Sequence, residues 1–441
     1  MKGFLERTFR LSENGTTIRR EVMGGATTFM TMSYIIFVQP AVLGTTGMDK
    51  GAVMVATCLA SALATLLTGL LARYPIAQAP AMGHNIFFAV VVCGTMGYTW
   101  QVALGANFIS GMIFVVLALA GIWGKVVAAV PDALKYGIAV GIGLLIALVG
   151  LEYGGIVVDS PGVLVSLGRL SSPPVLLALF GLALTAVLLV VRFPGAILAG
   201  ILATAAAGLP FGVVKYHGFV APVPSLAPTF LKLDIAGAIG SGLVVVVFVF
   251  FLLDVFDAIG TLIGVGGSAG FLKDGKLPRA DQAMLADAVG TVGGVLLGTS
   301  TVSSYVESVT GIAQGARTGL ANVVTSALFL CALFFSPLAA MISGEVSYGG
   351  MTLRPVIAPA LIIVGSMMMK CVKCIDWDDL TEAVPAFLCI VIMPLTLSIT
   401  EGLSFGFISY VLLKLAARRA RQVHWLIYLF AALFVLRYVL K

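Results

Sequence analysis

The stretch LLDVFDAIGTLIG, Leu252–Gly264, sets Asp254 and Asp257 inside a run that otherwise reads as membrane. Directly upstream, SGLVVVVFVFF (Ser241–Phe251) carries no charge at all. An ionisable side chain at the centre of a spanning helix costs about 2.5–3.5 kcal/mol on insertion scales, so such residues are functional candidates by default. Asp254 and Asp257 are three apart and share a helix face, which Thr261 extends by a further turn. Gly260 and Gly264 have the small-xxx-small spacing that permits close helix approach.

Composition agrees with a bilayer setting. The chain is 60% hydrophobic and 10% charged, with a mean hydropathy of +1.09, far from the quarter-charged make-up of soluble domains. This implies an all-α polytopic membrane protein with no separate soluble domain. The net charge of +6 reads as basic cytoplasmic loops rather than nucleic-acid binding.

A spanning helix needs about 20 apolar residues. Candidate segments are 22–44, 52–72, 83–95, 100–124, 133–152, 173–192, 194–210, 238–263, 282–299, 307–316, 318–343, 355–372, 382–400 and 402–417. Alternating them from a cytoplasmic N-terminus puts roughly 19 basic residues inside and about 5 outside, as the positive-inside rule asks. The inside set includes Arg19, Arg20, Arg73, Lys125, Lys273, Lys276, Arg317 and Arg418. The N-terminal segment lacks the apolar core of a signal peptide. The apolar tail 425–440 either spans or lies at the interface.

Two segments have short broken leads, AQAPAM (77–82) and TSTVSS (299–304), rich in Pro, Ser and Thr. Irregular backbone at membrane depth survives only where protein or a cavity satisfies it, so these breaks mark the expected site. Glu307 follows the second, where its carboxylate falls near a half-helix N-terminus. AMGHNIFFA (81–89) follows the first, with His84, Asn85 and Ile86. Asp287, in LADAVG, is a further acid nearer a helix end. VATCLASALATLLTG (55–69) resembles LADAVGTVGGVLLGT (285–299), and GIAVGIGLLIALVGL (137–151) resembles VIAPALIIVGSMMMK (356–370), which suggests an inverted repeat of about seven plus seven segments.

Other motifs carry less. GVGGSAG (264–270) lacks the strand and Lys of a phosphate loop. Cys371 and Cys374 form a lone CxxC without a second pair or a nearby His, a weak metal or redox signal. The chain has no HExxH zinc signature and no nucleophile–base pair, so an enzyme and a cofactor are not expected.

At these residues a family resemblance appears. GTTIRREVMGGATTFMTMSYIIFVQP (15–40), the 51–88 stretch ending APAMGHNIFF, DVFDAIGTLIGVGGSAG (254–270), LLGTSTVSSYVESVTGIAQGARTGL (296–320) and IDWDDLTEAVPAFLCIVIMP (375–394) together resemble the nucleobase–cation symporter-2 superfamily, specifically its AzgA-like adenine/guanine/hypoxanthine permeases. The resemblance implies about 14 segments in two inverted repeats of seven, with short strands in segments 3 and 10. It implies a cytoplasmic segment 1–21, a core domain (22–124 and 238–343), a gate domain (125–237 and 344–418) and a basic linker with apolar tail (419–441). By position, Asp257-Ala258-Ile259-Gly260-Thr261 looks like the E-H-I-G-H pattern of the related uracil carrier, and Ser304-Tyr305-Val306-Glu307 looks like its T-Y-G-E. Asp257 and Glu307 are then the base-contacting carboxylates, with Asn85, Ile86 and Tyr305 beside them. Asp254, Thr261 and His84 are supporting or proton-coupling candidates. Where purine-type members read GMGLNAFF this chain has AMGHNIFF, departing at His84 and Ile86. The implied activity is purine import across the cell (inner) membrane by proton or sodium symport, with an elevator-type shift of the core. A uracil/xanthine carrier or a sulfate- or bicarbonate-like anion carrier is the alternative, and a homodimer is among the assemblies left open.

Overall fold

The computed structural model describes residues 2–121, 130–160, 163–216, 218–241, 243–271 and 277–439. Lys125, Lys273 and Lys276 of the basic set lie outside them. Among the described residues, eight helices are long and apolar enough to cross a membrane. The chain resolves into two compact units, residues 1–120 with 152–360, and residues 121–151 with 361–441.

The first unit opens with α1 (Lys2–Phe9), α2 (Ile18–Met32), α3 (Ile35–Leu43) and α4 (Lys50–Leu71). Side-chain caps set where these start: Thr17 accepts from the Arg20 N–H, and Asp49 from that of Ala52 at 2.7 Å. After α4 the chain runs extended as β1 (Gln78–Pro80), then turns into α5 (Met82–Ile86), which widens into a π-helical run over Phe87–Thr95. Next comes α6 (Trp100–Leu119). Then α7 (Asp132–Tyr153) lies mostly in the second unit, and the hairpin β2 (Val157–Ser160) and β3 (Val163–Leu167) returns the chain to the first. There follow α8 (Pro173–Val190), α9 (Ala196–Gly208), the short α10 (Ile235–Gly240) and α11 (Val244–Ser268), which carries the two aspartates. Then α12 (Ala280–Leu297), β4 (Val302–Ser304) and α13 (Ser308–Ala313) repeat the helix–strand–helix order of α4, β1 and α5. α14 (Leu320–Ala332), α15 (Ser336–Ile342) and the hairpin β5 (Val346–Tyr348) and β6 (Met351–Leu353) complete the unit.

Close helix contact is made by small residues, but not by the pair expected. A Cβ on Gly25 of α2 would come within 2.4 Å of the Ala321 carbonyl oxygen on α14, so only glycine fits. Gly260 and Gly264 have no described atom within 4 Å of such a Cβ. Among the described residues, neither therefore packs closely against a neighbouring helix. α2 is instead tied to α14 by Glu21, fully buried, whose carboxylate accepts the N–H groups of Arg317, Thr318 and Ala321 at the α14 start.

In the second unit, α7 packs on α16 (Ala358–Met368) and on α17 (Leu380–Thr396), and α17 packs on α18 (Ile399–Ala416), followed by α19 (Trp425–Val439). Cys371 and Cys374 fall in a 3₁₀ turn after α16 and are free thiols. Both pairs of look-alike sequences pack against their counterparts. Gly290 of α12 meets Ala64 of α4, and Gly143 of α7 meets Gly365 and Met368 of α16.

The structure adds two further ladders, β2 with β3 and β5 with β6. Gly349 and Gly350, at φ 59° and 82°, form the two-residue turn of the second. Both central residues need positive φ in such a turn, and glycine supplies it without strain.

Candidate functional site

The two broken leads meet. β1 and β4 pair antiparallel, with Gln78 opposite Ser304, Ala79 opposite Ser303 and Pro80 opposite Val302. Two strands cannot satisfy each other's backbone fully, so neighbouring helices supply the rest. Thr65 of α4 accepts from the Gln78 N–H (2.9 Å) and donates to its carbonyl (2.8 Å). Thr291 of α12 donates to the Val302 carbonyl at 2.8 Å. Asn322 donates to the Ile76 carbonyl at 2.8 Å, and Ser308 accepts from the Ala77 N–H at 3.0 Å. These bonds are what lets irregular backbone persist in a dry interior.

Around the ladder the polar side chains form three groups. In the first, Glu307 sits at the start of α13 and accepts from the Tyr34 hydroxyl at 3.0 Å, while Tyr305 donates to the Pro80 carbonyl at 2.6 Å. The Tyr34 and Tyr305 ring centroids are 6.4 Å apart. In the second, the Asn85 amide donates to Gln39 and its oxygen accepts from Ser300. Gln39 also donates to Thr299 at 2.8 Å and Ser300 at 3.2 Å. Ile86, beside Asn85, is fully buried. In the third, one Asp254 oxygen lies 2.8 Å from His84 Nε2, and the other accepts from Ser110 of α6 at 3.0 Å.

Asp257, one turn beyond Asp254, is half-buried and lies toward Ser303 on β4. Thr261, a turn further, is also half-buried. Asp287 of α12 is buried and accepts from Ser304 at 3.3 Å. The structure therefore brings Asn85, Asp254, Asp257, His84, Tyr305 and Glu307 to the two breaks. It adds Tyr34, Gln39, Ser110 and Ser300, which sequence reasoning missed. Gln39 had a readable signal, as the lone amide in the apolar run YIIFVQP.

A site of this make-up at the junction of two broken segments belongs to transporters rather than to hydrolytic or redox chemistry. Comparison with known proteins decides the family, since the Permease family profile matches residues 19–405. The chain is a member of that family. This permease is 44% identical over 443 residues to the guanine/hypoxanthine permease PbuG of Bacillus subtilis, covering 98% of both chains. It is 43% identical over 439 residues to the adenine permease AdeP of Escherichia coli, covering 99% of this chain and 96% of that one. The resemblance to the AzgA-like permeases is thereby borne out. Among solved structures, the transmembrane domain of a cyanobacterial bicarbonate transporter, BicA, shares the fold, with a TM-score of 0.64 at 17% identity over 87% of this chain and 97% of that one. The permease is a multi-pass membrane protein, and its relatives are transporters, not enzymes.

Proposed function

We propose that this permease imports purine nucleobases (adenine, guanine or hypoxanthine) by proton symport, with the base held between the two breaks. The observation that carries this reading is the placement of Glu307 and Asp257 around the β1–β4 ladder. A neutral purine offers ring and exocyclic N–H groups on a fixed edge, and a buried carboxylate accepts from these in strong charge-assisted bonds. Tyr305 and Ile86 supply apolar walls. Asn85 contacts the base by exchanging Gln39 or Ser300 for it, because both ends of its amide are engaged in this structure. The full architecture in this reading has 14 segments in two inverted repeats, with core and gate moving in an elevator-type cycle. The paired packing of the look-alike helices supports it. The N-terminus is cytoplasmic and the membrane is the inner one.

An anion carrier is the competing reading, supported by the fold shared with a bicarbonate transporter. The acids at the breaks weigh against it, because an anion site calls for cations or bare amides. Uptake of labelled purines and of sulfate into proteoliposomes, with and without an imposed pH or sodium gradient, tests both. Purine accumulation driven by the pH gradient is expected. Sulfate uptake without purine uptake overturns the proposal.

A further inference from the structure

The site holds more acid than its ligand needs. Asp254, Asp257 and Asp287 cluster behind the ladder, and Glu307 closes its other side. Among the described residues, His84 is the basic side chain that lies against these acids. Both partners of the 2.8 Å contact between His84 Nε2 and Asp254 are buried, at 2% and 0% side-chain exposure. Ser110 donates to the second Asp254 oxygen at 3.0 Å, so both Asp254 oxygens face protein groups, although neither His84 Nε2 nor the oxygen it faces completes a hydrogen bond. The contact also joins two elements of the site, because His84 belongs to α5, directly after β1, and Asp254 belongs to α11, one turn from Asp257.

We propose that the His84–Asp254 pair is where the coupling proton rides, an assignment that rests on the transport reading above. With the proton on, an imidazolium faces a carboxylate and the pair is neutral as a unit. With it off, an imidazole faces a carboxylate, and a net negative charge stands one turn from Asp257. In a dry interior that like-charge neighbour is strongly unfavourable. The proton enters from water on the outer side and leaves to water on the inner side, and no other bond is made or broken. A purine that donates N–H groups to Asp257 leaves the aspartate negative, so the imidazolium favours the bound state. Base and proton then bind cooperatively, each by the same factor. The titratable groups around the pair are Asp257 on α11, Asp287 on α12, Tyr305 and Glu307 ahead of α13, and Tyr34 ahead of α3.

Two measurements on the reconstituted full-length protein test the assignment. The first compares wild type with His84→Gln in two transport modes. Purine counterflow, which needs no net proton movement, is expected to persist in the variant. Accumulation driven by a pH gradient is expected to fall by about tenfold or more, within the usual range for two coupled ligands. The variant's apparent purine affinity should also lose its dependence on pH between about 5 and 8. Wild-type accumulation in His84→Gln overturns the assignment. Absence of purine counterflow in the wild type instead overturns the transport reading.

The second measurement does not depend on transport. The chain has three histidines, so imidazole nitrogen resonances can be assigned by loss of one signal in His84→Gln. Asp254→Asn should move the His84 signal, because the two side chains lie 2.8 Å apart. A His84 signal that Asp254→Asn leaves unmoved overturns the pairing. Should His84→Gln fail to reach the membrane, the double variant His84→Leu with Asp254→Asn removes both charges together. It should fold and exchange purine without proton-driven accumulation, and pH-driven accumulation in it overturns the assignment.

Discussion

Two ionic clusters in this permease put carboxylates to opposite ends. In the second unit, Lys414, 3% exposed, lies 2.7 Å from Glu382 and 3.9 Å from Asp379, and Arg419 completes the set 2.6 Å from Asp379. Two cations face two carboxylates there, and Tyr410 donates to Glu382 at 3.4 Å. Around the β1–β4 ladder of the first unit, one imidazole faces a set of four acids. Matched charges hold each other and have little to exchange. An excess of acid must be answered by something that comes and goes, either a proton or a ligand rich in N–H groups. Charge balance therefore separates the anchor from the working site.

Substitutions that alter that balance should have the largest effects, and they should differ in kind between the clusters. Glu307→Gln keeps the size but removes the carboxylate charge that accepts the purine N–H groups, so it should abolish concentrative purine uptake while the protein still reaches the membrane. Wild-type accumulation by this variant under a pH gradient would take Glu307 out of the site. Lys414→Met should do the reverse. It leaves the half-buried Glu382 without its cation, which costs about 1 kcal/mol of stability after solvent screening. A lowered melting temperature in detergent with unchanged purine affinity is the expected result. A changed affinity with unchanged melting would mean that the Lys414 cluster also acts on the substrate.

The working cluster was the more legible of the two in the sequence, for a physical reason. Asp254, Asp257 and Glu307 stand out because carboxylates are rare in apolar runs, and the breaks at 77–82 and 299–304 stand out because Pro, Ser and Thr interrupt helices. That β1 and β4 pair with each other, across more than two hundred residues, has no local signal. The same holds for Ser110 and Ser300, ordinary small polar residues whose importance lies in what they face. Gly260 and Gly264 show the converse failure: spacing can be read from sequence, but which way a helix face points is settled by its neighbours. The β5–β6 hairpin did leave a mark in YGGM, a Gly-Gly pair between strand-length segments.

The two aspartates on α11 sharpen the comparison within the working cluster. Asp254 is held by His84 and Ser110, whereas Asp257 is half-buried and keeps part of its surface open. Asp257→Asn should therefore raise the apparent KM for purine strongly, by about tenfold or more, because a donor replaces half of an acceptor pair. Asp254→Asn should chiefly lower transport rate or yield, since it leaves His84 without its partner. Uptake normalised to membrane protein separates them. Equal affinity loss in both would merge their roles, and loss only in Asp254→Asn would exchange them.

The smallest effect belongs to a third charge group, whose one carboxylate is exposed. Glu345 precedes the β5–β6 hairpin and accepts from Lys50 at 2.7 Å and from Arg354 at 3.1 Å, and Arg354 lies over the Tyr153 ring at 4.6 Å. The Lys50 hydrogen bond, aided by the Arg354 charge, holds the Glu345 carboxyl below its ordinary value of 4.5. A carboxylate lowered on folding adds stability above its unfolded value, and that contribution is lost as pH falls through the folded value. With 38% of the side chain exposed, water and salt screen the bridge, and its worth is about 0.5 kcal/mol. Glu345→Gln should thus melt slightly below wild type at neutral pH. The gap should stay nearly constant down to about pH 5, where the carboxyl of the unfolded wild type is still mostly ionised, then close on further acidification. Added salt should narrow it at neutral pH. A gap that persists unchanged in acid would show that Glu345 acts through packing of the hairpin, and not through its charge.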